Sequence, residues 1–171
     1  MALIDLSKQV ALGVDIGGTN TKYGLVNHRG EILEKGKLKT DDYPLVDDFI
    51  NALYDEVSPL IMKHCGQRQF DGIGVGAPNA NYYTGTIEQA PNLHWKGIIP
   101  FAKLMTEKFE VPCKMTNDAN AAALGEMMFG AARGMKDFIM MTLGTGVGSG
   151  IVSGGSLIYG HDGFAGELGH T

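Results

Sequence analysis

Between Val10 and Lys39 apolar and polar residues interchange in short runs, Val10-Ala11-Leu12-Gly13-Val14, then Tyr23-Gly24-Leu25-Val26, then Glu31 to Lys39. The breaks between them, Gly17-Gly18 and Asn27-His28-Arg29-Gly30, are turn sequences. This predicts an antiparallel three-stranded meander, its third member alternating imperfectly as an exposed edge strand does. Pro44 suits a first helical turn. Beyond it Leu45, Phe49, Ala52, Leu53, Val57, Leu60, Ile61 and His64 recur at helical spacing. Pro59 lies inside that pattern and predicts a kink or two abutting helices.

Phe70 to Gly76 reads as a buried strand opening into a polar, aromatic loop over residues 79–97. A loop of that length is functional or disordered, and Tyr82, Tyr83, His94 and Trp95 argue for order. A helix from Pro100 to Phe109 and a strand over Cys113–Thr116 follow. Asn117-Asp118 then caps an alanine-rich helix. From Phe138 the chain returns to strands around a second glycine turn, Gly144 to Gly150. The alternation of strand and helix predicts an α/β domain. A composition shift over Gly134–Lys136 divides it into residues 1–135 and 136–171.

The 171 residues carry a net charge of -5 with no run of basic residues, so no charge pattern points to nucleic acid or to a membrane surface. No apolar segment approaches the roughly 20 residues needed to span a bilayer, and Met1 to Lys8 contains no signal-peptide core. Cys65 and Cys113 read as free thiols, which fits a reducing cytoplasm. Glycine, at 25 residues, is about twice its average usage of roughly 7%. Ten of those glycines lie between Gly144 and Gly169, so the excess has a local cause.

Three constellations carry chemistry. Asp15-Ile16-Gly17-Gly18-Thr19-Asn20 delivers a carboxylate, two glycines and a hydroxyl into a tight turn. Splayed backbone N–H groups there form an anion cradle, with the glycines expected at φ values other residues avoid. Asp15 is placed to hold a hydrated Mg²⁺. An ordinary Gly-Gly hairpin is the competing interpretation. Gly144, Thr145, Gly146, Val147 and Gly148 repeat the pattern, and neither turn fits a Walker or dinucleotide motif. Two such turns could clamp a triphosphate.

Asn117-Asp118 stands where a strand ends and a helix begins. One of the two is an N-cap, worth about 1 kcal/mol. Asp118 is also a candidate general base and Asn117 a residue that orients the hydroxyl, since a helix N-terminus favours negative charge. Glu167 and His170 form a pair suited either to polyol hydroxyls or to an ordinary surface loop. They could be half of a metal site, but two groups do not make four ligands.

The ordered set Asp15-Ile-Gly-Gly-Thr-Asn, Ala90-Pro-Asn-Leu-His-Trp95, Asn117-Asp-Ala-Asn-Ala-Ala, Leu143-Gly-Thr-Gly-Val-Gly and Gly166-Glu-Leu-Gly-His170 resembles the ROK family of sugar kinases and repressors, in particular its glucokinase branch. The resemblance implies an actin-like, ribonuclease-H-type ATPase fold, a mixed sheet with flanking helices. Its two lobes hold sugar and nucleotide between them. It implies ATP and Mg²⁺, a homodimer in the full-length form, and a hexose such as glucose phosphorylated at its 6-hydroxyl. Asp118 would be the base. Asn79, Asn92, Asn117, Asp118, Glu167 and His170 would hold the sugar. Asp15, Gly17, Gly18, Thr19, Asn20 and Gly144 to Gly148 would hold the nucleotide.

In many members the histidine at position 170 ligates a structural Zn²⁺ with cysteines further on. This sequence ends at Thr171 without them. The expectation is therefore a first lobe with the opening of an incomplete second lobe, inactive by itself and exposing apolar surface over residues 137–171. No helix-turn-helix precedes Val10, which favours a kinase over a sugar-sensing regulator. A kinase for N-acetylated hexosamines is the other alternative.

Overall fold

In the computed structural model, which describes residues 9–65, 69–143, 146–166 and 168, β1 (Val10–Ile16), β2 (Asn20–Asn27) and β3 (Ile32–Lys39) form the expected antiparallel meander. β4 (Phe70–Gly76) and β8 (Cys113–Thr116) add to it in parallel, giving the strand order β3-β2-β1-β4-β8. Alternate residues of β1 are buried, Val10, Leu12, Val14 and Ile16 all at 3% exposure or less. They face a layer made by α1 (Val46–His64) and α2 (Phe101–Phe109). Phe49, Trp95 and Phe101 pack ring on ring between these elements, with centroids 4.9 Å and 5.9 Å apart. Burying each such side chain stabilises the fold by about 1.5–3 kcal/mol.

Pro59 neither ends nor divides α1, which runs unbroken from Val46 to His64. Pro59 is exposed, as is Asp55, whose carbonyl loses its helical partner, so water can satisfy that group. Val57 and Ile61 anchor the helix on its buried side. Pro44 stands before the N-cap, Leu45, rather than in the first turn. The first helical bond is Phe49 N–H to Leu45 O, because Tyr43 and Leu45 both remain out of helical conformation.

The stretch over residues 79–97 is ordered, as its aromatics indicated. It carries β5 (Ala80–Asn81) and β6 (Thr86–Glu88), which pair in a small sheet with β7 (Ile98–Ile99). Trp95 closes it by donating its indole N–H to Tyr43 O at 3.0 Å.

α3 (Asp118–Phe129) joins two layers. Ala121 lies against Gly76 of the first sheet. On its other side Ala119 and Ala123 meet Gly148 and Gly150 of β10 (Val147–Ser153), which pairs with β9 (Phe138–Leu143) and β11 (Ser156–Leu157). A Cβ at Gly150 would stand 2.7 Å from Ala123 Cβ. The local glycine excess thus has two causes: close approach of α3 to β10, and positive φ downstream, as at Gly163 (φ 92) and Gly166 (φ 95).

Both cysteines are free, Cys113 buried and Cys65 half-buried. Burial pushes the Cys113 thiol up to about 12. As expected for residues 137–171, Ile139, Met141 and Leu143 are exposed along β9, an edge strand. No helix among the described residues is long and apolar enough to cross a membrane.

Candidate active site

The parallel strands β1, β4 and β8 end at one edge of the sheet. In α/β sheets that edge is where ligands bind. A single register row crosses all five strands there: Lys37, Lys22, Asp15, Gly76 and Thr116. Strand spacing of about 4.8 Å puts the Asp15 and Thr116 backbones roughly 10 Å apart. Asp118 follows Thr116 by two residues, and its Cα is 3.6 Å from the position a Cβ on Gly76 would take. Gly76 therefore keeps open the space between two exposed carboxylates, Asp15 and Asp118.

The cap ambiguity resolves in favour of Asn117. Its Oδ1 accepts the Asn120 N–H at 2.7 Å. The residue is buried, and that oxygen is committed to the helix. Asp118 occupies the first helical position, where its Oδ1 accepts the Ala119 N–H at 2.8 Å. This bond fixes one carboxylate oxygen of Asp118, an exposed residue, at the start of α3.

Gly17 and Gly18 form the tight turn, closed by Gly17 N–H to Asn20 O at 3.1 Å. The expected unusual φ values are absent from both, since neither is among the residues with positive φ. Space is what requires glycine. A Cβ would stand 2.8 Å from Asn20 O at Gly17 and 2.6 Å from Asn92 O at Gly18. Thr19 is exposed, and its carbonyl accepts the Thr40 N–H at 2.9 Å.

The loop that carries Asn92 reaches the segment after β3 through His94, whose Nε2 is 3.3 Å from Asp41 Oδ1. Asn92 is exposed beside the turn. Asn79 (φ 50) lies just beyond β4, its Nδ2 donating to Glu88 O at 3.0 Å.

Gly146 and Val147 are exposed at the start of β10. Gly148 packs against Thr142 Oγ1 and Ala119. Gly144, Thr145, Glu167 and His170 lie outside the described residues. Among the described residues no three His, Cys, Asp or Glu side chains group closely enough to hold a metal. A lone exposed Asp15 fits a Mg²⁺ that keeps most of its water and takes its other ligands from phosphates.

Neither Thr116 nor Asn120 stands out in the sequence as a site residue. Thr116 Oγ1 and the Asn120 amide are buried with no hydrogen-bond partner among the described residues. A cleft of about 1120 Å³ runs along the uncovered face of the first sheet, with Asp15, Thr116, Asp118, Tyr82 and Tyr159 in its lining. Asn79, Asn92 and Asn117 lie outside that lining. Among the described residues, Asp118 is the predicted sugar contact that lines the cleft.

Strand order, helix placement and the carboxylate-flanked strand ends are those of an actin-like ATPase fold. The ROK family model matches residues 11–171, and the chain belongs to that family. It is 39% identical over 169 residues to a glucokinase of Halalkalibacterium halodurans, covering 96% of this chain and 50% of the relative. It is also 33% identical to a xylose repressor of Caldicellulosiruptor bescii, over 99% of this chain and 43% of that protein.

A ROK family glucokinase from Streptomyces griseus, solved in complex with glucose and AMPPNP, superposes with a TM-score of 0.79 at 37% identity, covering 95% of this chain and 50% of the other. The chain spans about half the length of the curated relatives it matches.

Proposed function

We propose that the chain supplies the sugar- and phosphate-contacting part of an ATP-dependent hexose kinase, with glucose as substrate. The observation that carries this is the pair of exposed carboxylates, Asp15 and Asp118, which stand on either side of Gly76 at the strand ends and line one cleft. Asp118 accepts the proton of the sugar 6-hydroxyl as that oxygen bonds to the γ-phosphorus of ATP. The bond from the γ-phosphorus to the bridging oxygen breaks, and ADP leaves. Asp15 would hold, through water, the Mg²⁺ that accompanies ATP and neutralises phosphate charge. Gly17, Gly18, Thr19 and Asn20 on one side and Gly144 to Gly148 on the other hold the phosphates. Asn79, Asn92, Asn117, Glu167 and His170 hold the sugar.

The division between lobes falls at residues 135/136. The Lys136 carbonyl already accepts the Gly155 N–H, and Asp137 the Ser153 hydroxyl, within the second layer. Half a cleft positions its substrates poorly, so the 171-residue chain alone turns over little. The working protein is cytoplasmic and homodimeric.

A coupled ADP-release assay tests this, using the chain alone and the chain fused to the second half of the Halalkalibacterium halodurans glucokinase. The fusion is expected to release ADP when glucose is added, and mannose, fructose and N-acetylated hexosamines less well. No hexose-dependent release from a folded fusion sinks the proposal. The likeness to a xylose repressor favours a second reading, a sugar-sensing module without catalysis. Glucose binding without ADP release would select it.

A further inference from the structure

We propose that Asn81 and Tyr82 are positioning residues that pin the Tyr159–Gly166 segment to the small sheet of β5, β6 and β7, and so fix the stretch of chain that leads to Glu167 and His170. The proposal rests on the hexose-kinase reading above, and extends it to residues outside the proposed ligand set.

Residues 158–166 form neither helix nor strand, and Gly160, Gly163 and Gly166 all take positive φ. Such a segment has many conformations open to it unless it is tied down. Here it is tied at both ends. At one end Tyr159 stacks on Tyr82 with centroids 3.9 Å apart and planes 10° from parallel. Tyr83 Oη donates to Gly160 O at 2.8 Å.

Asn81 is buried, although its partner is far along the chain. Its Nδ2 donates to Asp162 O at 3.0 Å while its Oδ1 accepts the Tyr83 N–H at 3.0 Å. Gly163 fits so closely there that a Cβ would stand 2.8 Å from Asn81 Oδ1. At the other end Ser149 Oγ donates to Gly166 O. The Ala165 N–H to Tyr159 O bond, 3.0 Å, closes the segment on itself.

Asn81, Tyr82 and Tyr83 belong to the hairpin that follows β4, whose neighbour Asn79 is a proposed sugar ligand. The segment they hold leads directly into the other two proposed ligands, Glu167 and His170. One cluster thus ties the chain beside Asn79 to the segment that precedes Glu167 in the sequence. Lys114 Nζ, 5.9 Å from the Tyr82 ring, adds a cation near the stack.

The test uses the chain itself, with Tyr82→Ala, Asn81→Ala and the conservative Tyr82→Phe. Amide exchange over residues 159–166 is expected to speed up about tenfold or more in both alanine variants, while β1 and β4 stay protected. Tyr82→Phe, which keeps the stack, restores the slow exchange. Titration with glucose, followed by Trp95 emission, is expected to show a Kd weakened about tenfold, with the Kd for Mg-AMPPNP changed less than about twofold.

Unchanged exchange in the alanine variants overturns the pinning. Faster exchange with both affinities altered alike, or neither, overturns the positioning role. Absence of any glucose response in the chain and in the fused enzyme alike is a failure of the hexose reading instead, and the exchange arm still decides the pinning.

Discussion

The backbone of Gly18 rests directly on Asn92, whose carbonyl oxygen would stand 2.6 Å from any Cβ placed there. That contact joins the first glycine turn to the loop proposed to hold sugar, so the two proposed subsites are mechanically one. Gly18→Ala must push the loops apart, and is expected to lower unfolding stability by about 1–3 kcal/mol in urea titrations, the usual range for overpacking. Gly74→Ala is the control. Nothing lies within 4 Å of its Cβ position, and its effect is expected to stay within about 0.5 kcal/mol.

Asn117 caps α3, the helix that joins both layers. Asn117→Ala is expected to cost about 1 kcal/mol, and Asn117→Asp, which can still accept the Asn120 N–H, much less. Chemical denaturation of the two variants side by side separates the cap from any contact with sugar.

Asp118→Asn keeps an acceptor for the Ala119 N–H, so its melting temperature should match the parent. In the fused enzyme its turnover is expected to fall roughly 10²–10⁴-fold, the range of general base catalysis. Undiminished turnover would remove Asp118 from the mechanism.

Glu34 takes a hydrogen bond from His64 at 2.9 Å and another from Lys63 at 2.7 Å. These contacts, His64 foremost, hold its carboxyl below the ordinary glutamate range. A carboxylate with a lowered folded pKa stabilises the fold above its unfolded value, and that stability is lost as pH falls through the folded one. Glu34→Gln should therefore be less stable than the parent near neutral pH, with the gap closing as acid is added below the ordinary glutamate range. Thermal melts across an acid series check this. A gap that stays constant would contradict it.

Ile139, Met141 and Leu143, at 57%, 54% and 81% exposure, line one side of the edge strand β9. An open, apolar edge invites pairing between chains. The 171-residue chain is expected to associate as its concentration rises, and Met141→Lys to reduce that association. Light scattering coupled to size exclusion reads both.

Much of this molecule was legible in the order of its residues. Alternation over Val10–Lys39 marked the meander because one sheet face is packed and the other is not. The glycine turns, Asn117-Asp118 and Glu167–His170 stood out because unusual residue types crowd into short stretches. Other features depend on residues far apart in sequence. Whether Gly17 and Gly18 serve backbone conformation or close packing was decided by Asn20 and Asn92. Which of Asn117 and Asp118 is the cap was decided by the helix bond to Asn120. Pro59 stayed inside α1 because its neighbours' burial outweighed one lost bond on the wet side. The placing of Asp15 and Asp118 around Gly76, and the contact of Asn81 with Asp162, exist only once β4 lies between its neighbours and α3 has packed against two sheets, since local propensity carries no information about such long-range relationships.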